Sequence, residues 1–178
     1  MSKQASTSGQ PGTDGTTNDP SLDKQGFGPH VSQGSSSNQR AVRACTWIAR
    51  IGFAIVFIVN VQCALSFVFE PSAFVGAYEL SGVPGNVAIQ GMGVVFLMWN
   101  VPYAVYIAHP VRFHAMGWVA IVQQTIGLVG ESLILAGIPA GHTLLSESIL
   151  RFIAFDALGL VIMMAVQGAL AFALHKTA

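Results

Sequence analysis

Two carboxylates stand inside long apolar runs of this chain. Glu131 lies in AMGWVAIVQQTIGLVGESLILAG (115–137), and Asp156 in the run that begins at Phe152. A carboxylate at membrane depth is costly, so it faces a protein interior, a partner or water rather than lipid. Counting back from Glu131 by four and seven gives Gly127 and Gln124, which share its helical face. Asp156, Gly159, Met163 and Gln167 make a second small and polar stripe. Placed span by span, Gln90, Glu131, Arg151 and Asp156 are expected to converge in the outer half of a helical bundle. One arginine facing two or three carboxylates leaves surplus negative charge, which low dielectric penalises, so one acid is expected to keep a proton. The chemistry this suggests is proton handling, or recognition of a cationic or hydroxylated ligand. Glu131, Asp156, Arg151, Gln90 and Gln124 are its candidates. The competing reading is structural: polar side chains between membrane helices contribute about 1 kcal/mol each to holding a bundle together.

Other chemistries find less support. Nucleophilic catalysis needs a serine or cysteine beside a base, and Ser132, next to Glu131, points off the Glu131 face. Cys45 and Cys63 are eighteen residues apart in one apolar run, about 27 Å along a continuous helix, too far for a disulfide. No CxxC is present, which argues against thiol-redox chemistry. His109 and His114, five apart beside a proline, make a poor metal pair, and a site of Glu131, Asp156 and His142 lacks a Glu-x-x-His pair. Neither a metal nor a cofactor is expected. Asn100, close to Pro102, is expected to re-satisfy backbone opened by the proline near Met98 rather than to bind a ligand.

The elements that must position these residues follow from composition. The chain has 178 residues, 52% hydrophobic and 9% charged, with a formal net charge of zero. Soluble domains carry about 25% charged residues, so an all-α integral membrane protein is expected. No basic cluster stands out, so nucleic acid is not expected as a partner. Residues 1–40, rich in Ser, Gly, Thr, Gln and Asn, read as a disordered tail without a secretory signal. Residues 41–178 read as a four-helix up-and-down bundle with spans near 46–69, 87–108, 115–137 and 152–174, the last extendable back to Thr143. The segment between the first two spans, holding Phe74, Val75, Tyr78 and Leu80, is expected to lie at the interface.

Arg40, Arg43, Arg50, Arg112 and Lys176 would fall on one side and Arg151 alone on the other, so both termini are expected in the cytoplasm. Trp47, Trp118, Tyr103 and Tyr106 are expected as aromatic anchors near that interface.

Arg50 opening the first span, Pro71 in a hydrophobic outer loop, the glycines of Gln90-Gly91-Met92-Gly93 and the short remaining connections resemble the DoxX-like group of small bacterial membrane proteins. The resemblance covers about 42–173 and implies a compact four-helix bundle in the plasma (inner) membrane, associated with redox or stress partners. It carries over no catalytic residue. An accessory or small-ligand-binding subunit is the expected role, with the bilayer and another membrane protein or a second copy as partners. The alternatives are a proton-coupled small-solute transporter, or a membrane-embedded enzyme acting on a lipid-soluble substrate. Exporters of the small multidrug-resistance type differ in carrying their carboxylate in the first helix.

Overall fold

A computed structural model describes residues 33–176, and all regular structure within them is helical. The tail reading falls mostly on residues 1–32, outside the described residues; α1 (Gln33–Phe69) begins earlier than the span expected from hydropathy. Then come α2 (Gly82–Trp99), α3 (Val101–Ala108), α4 (His114–Gly137) and α5 (Thr143–His175). Taking α2 and α3 as one segment, four stretches are long and apolar enough to cross a membrane: Ser37–Phe69, Gly82–Ala108, His114–Gly137 and Thr143–His175.

Helix α1 packs on α2, α3 and α5, and α4 packs on α3 and α5, which closes a ring of four segments. Helix α2 does not itself pack along α4. The break at Asn100 explains the difference. Pro102 has no N–H to give to the carbonyl four residues back, and its ring crowds the preceding turn. The segment therefore changes course between α2 and α3. Only α3 lies against α4, and the two drift apart beyond the break.

The close contact of α1 and α2 depends on Gly93. A Cβ there would lie 2.7 Å from the Ala64 carbonyl oxygen and 2.9 Å from Phe67 Cβ. Gly91, two residues away in the same QGMG string, faces open space. The buried face of α2 is Gly85, Ile89 and Gly93, spaced by four.

The core contains Phe53, Val56, Tyr103, Tyr106, Ile121, Met163 and Leu170. Tyr103 and Tyr106 are fully buried, which corrects their expected place in an interfacial belt. Both rings pack on Phe53, and both hydroxyls find partners inside the bundle. Trp47 and Trp118 remain exposed.

The start of α1, the 109–113 turn and the end of α5 share one end of the bundle. There Arg50 donates from Nη2 to the Ala108 carbonyl oxygen at 2.9 Å, and its guanidinium lies over the Trp47 ring. A cation at an open helix C-terminus satisfies an orphan carbonyl and complements the dipole. The opposite end is closed by residues 70–81, folded as two 3₁₀ turns, Pro71–Ala73 and Val75–Tyr78. Phe74 and Tyr78 pack against Phe67. The Ser148 hydroxyl donates to the Ala77 carbonyl at 2.8 Å.

Glu79 completes this closure. Its backbone is left-handed, at φ 54°, and its carboxylate accepts the Leu145 N–H at 3.3 Å and pairs with His142. His142 provides no side-chain cap for α5, so the carboxylate from the loop caps that helix from outside. The His142 bond, aided by the backbone N–H groups of α5, holds the Glu79 carboxyl below the usual carboxylate range.

Candidate functional site

At the divergence of α2 from α4 lies a cavity of about 150 Å³. Each segment supplies part of its wall. Helix α1 presents Asn60, and α2 presents Phe96 and Trp99, with Asn100 at the break. Helix α4 presents Gln124, Gly127 and Glu131, one helical face as their spacing requires, and α5 presents Phe152 and Asp156.

The polar part is a chain of hydrogen bonds. Tyr103 donates to Gln124 Oε1 at 2.7 Å, and Gln124 Nε2 donates to Asp156 Oδ1 at 2.8 Å. Gln124 is only 2% exposed, so its amide orientation is fixed by a donor on one side and an acceptor on the other. Gly127 gives the acid its room: a Cβ there would lie 2.9 Å from Asp156 Oδ2. A larger residue on α4 would push the carboxylate away from Gln124.

Two buried oxygens at this cavity have no hydrogen-bond partner, Glu131 Oε2 and Asn100 Oδ1. Asn100 is 3% exposed. Its Nδ2 donates to the Phe96 carbonyl at 2.7 Å, which fixes the amide and leaves Oδ1 as a bare acceptor. The expectation that Asn100 repairs the proline-opened backbone is not met: its nitrogen bonds the Phe96 carbonyl, which already accepts the Asn100 N–H at 3.1 Å, and not that of Met98. The amide oxygen has no such structural use.

Glu131, Asp156 and Gln124 are thus brought together, whereas Arg151 and Gln90 are not. Arg151 is exposed and donates from Nε to the Glu147 carbonyl of its own helix at 3.3 Å. Among the described residues the ion pair present is His142–Glu79, so the expected pairing of Arg151 with Glu131 or Asp156 is corrected. Five residues separate Arg151 from Asp156, a rotation of about 140° on the helix, which turns the two side chains to different faces. Arg151 lines a neighbouring cavity with Val59, Asn60, Cys63, Phe152 and Phe155. Gln90 is one residue past the buried Ile89, about 100° away from the packed face, and donates at the bundle surface to the Val68 carbonyl at 3.1 Å.

Sequence reasoning missed three features. Tyr103 anchors the polar chain, and only a buried setting reveals that role. Tyr78, in the loop that closes the same end of the bundle, has a hydroxyl that is buried without a partner. Burial pushes that phenol well above its ordinary value; the fields of Cys63 and Glu131 add to the shift and that of Arg151 opposes it. At the other end, Tyr106 donates to Gln167 Oε1, while Gln167 Nε2 donates to the His114 carbonyl at 3.1 Å and lies 3.2 Å from His114 Nε2. That second network ties α3, α4 and α5 and has its bonding capacity largely used, as a structural element does.

The chain matches no family model, no curated protein and no solved structure.

Proposed function

We propose that this chain is an integral membrane protein that holds a small molecule in the cavity between α2 and α4. In this reading it is a binding or accessory subunit of the DoxX-like type, in the plasma (inner) membrane, without a catalytic centre of its own. The four apolar segments support insertion, and the closed ring of packing supports an up-and-down bundle. Arg40, Arg43, Arg50, Arg112 and Lys176 all belong to the end where α1 starts and α5 finishes, whereas Arg151 follows the opposite loop. That distribution supports cytoplasmic termini. The partner on the apolar outer faces is the bilayer, with another membrane protein or a second copy beside it.

One observation carries the binding role: Glu131 Oε2 and Asn100 Oδ1 are both buried and both unpartnered at one cavity. A buried acceptor left bare costs about 1–3 kcal/mol, and two in one place are better explained by a visiting donor than by packing. By contrast, the Tyr106–Gln167–His114 network is internally matched. Native mass spectrometry of the full chain, released gently from micelles, tests the proposal. A discrete small-molecule adduct on the wild type that is lost in Glu131→Leu supports it. The bare chain mass in both would contradict it.

A further inference from the structure

Four features of the cavity wall narrow the chemistry of what it holds. Its polar atoms free to bond are chiefly acceptors: Glu131 Oε2, Asn100 Oδ1 and, because Oδ1 is engaged by Gln124, the second oxygen of Asp156; the Asn60 amide on α1 adds one group that can donate as well as accept. The Gln124 and Asn100 amide nitrogens already donate, to Asp156 and to Phe96. Among the described residues no lysine, arginine or histidine lines the cavity, so its two carboxylates face no cation from them there. The remaining surface is aromatic: Phe96, Trp99 and Phe152.

A wall dominated by acceptors, with two carboxylates among them, suits a group that only donates. Of the common polar groups, a primary ammonium fits best, with three N–H donors and no acceptor. Its positive charge is favoured both by the carboxylates and by aromatic faces. A bare metal ion fits less well. Among the described residues no three His, Cys, Asp or Glu side chains converge, and hard cations take six or more oxygen ligands. The volume sets a size limit, since an apolar cavity of about 150 Å³ accommodates a benzene-sized body.

Resting on the ligand-binding reading above, we infer that the cavity recognises a primary ammonium group carried on a small apolar body, held by Glu131, Asp156 and Asn100 Oδ1 against Phe96, Trp99 and Phe152. Such a group could be a free monoamine or the headgroup of an ethanolamine lipid; the recognition chemistry is the same.

The test is thermal unfolding of the full chain in lipid nanodiscs, with benzylammonium as the soluble probe and benzyl alcohol as its neutral counterpart. The lipid arm compares discs of phosphatidylethanolamine with discs of phosphatidylcholine, whose headgroup has no N–H. Stabilisation by benzylammonium well beyond that by benzyl alcohol identifies a free amine. Stabilisation by the ethanolamine lipid alone identifies a headgroup. In either case Glu131→Gln and the near-isosteric Asp156→Asn should weaken the effect at least tenfold, and Glu147→Gln on the exposed start of α5 should not. Equal stabilisation by benzyl alcohol, or an effect unchanged in both cavity variants, would overturn the ammonium assignment while leaving a ligand-binding cavity. No stabilisation in any arm would overturn both.

Discussion

Replacing Gln124 by leucine keeps the side-chain volume roughly constant but removes the link between α3 and α5. In the wild type the amide accepts from Tyr103 at 2.7 Å and donates to Asp156 at 2.8 Å, at a position that is 2% exposed. Interhelical hydrogen bonds in membrane bundles average about 0.6 kcal/mol and reach about 1.7, because the unfolded chain in the bilayer also finds partners. Counting the two bonds alone gives about 1–3 kcal/mol. The leucine also strands the Tyr103 hydroxyl and one Asp156 oxygen, each worth about 1–3 kcal/mol when buried without a partner. Relaxation of Asp156 toward the cavity offsets part of this, so a loss of about 2–4 kcal/mol is expected. Denaturant titration in mixed micelles reads it directly. Gln62→Leu, at an exposed position on α1, is the control and should change stability by less than about 0.5 kcal/mol. The double variant sharpens the test. Tyr103→Phe in the leucine background removes a hydroxyl already stranded, so the two losses should fall short of additivity by about 1 kcal/mol or more. Equal effects of Gln124→Leu and Gln62→Leu, or full additivity with Tyr103→Phe, would refute a coupled polar chain.

Gly93→Ala should destabilise by about 1–3 kcal/mol, because its Cβ would meet the Ala64 carbonyl, whereas Gly91→Ala should be neutral or slightly stabilising in the same unfolding assay. The Glu79–His142 closure should respond to acid in a defined direction. Glu79 is depressed below its ordinary value of 4.5, so its contribution is complete above that pH and is lost as pH falls through the folded value. Proteolysis or hydrogen exchange at residues 70–81 should therefore rise only below about pH 4.5 in the wild type. In Glu79→Gln it should be raised at all pH values. For topology, a cysteine placed at Ser81 should react with an impermeant maleimide from outside intact cells and one placed at Gln39 should not; the reverse pattern would invert the proposed orientation.

Much of the arrangement is legible in the residues themselves. Apolar length alone identifies the four segments, and helical spacing alone puts Gln124, Gly127 and Glu131 on one face and Asp156, Gly159, Met163 and Gln167 on another. Depth is a poorer guide than angle. Gln90 and Arg151 lie at suitable heights, yet each is rotated away from the packed face, and a depth argument cannot see that rotation. The tyrosines show a second limit. Position near a helix end suits an interfacial anchor, but Tyr103 and Tyr106 belong to a short helix that proline turns into the core. Their hydroxyls become partners of buried glutamines only once α3 has met α4 and α5. The Glu79 cap is hidden for a different reason: it joins residues more than sixty positions apart through a left-handed backbone turn that no local pattern announces.

In the proposed function, Glu131 and its neighbours bind a donor from outside the chain. Infrared difference spectroscopy on protein labelled with ¹³C at glutamate carboxyls, recorded as benzylammonium is added, tests it most directly. A carboxyl-region change that shifts with the label, is lost in Glu131→Gln and is retained in Glu70→Gln is the predicted result. A spectrum unaltered by the amine, or the same change in Glu131→Gln, would contradict the account.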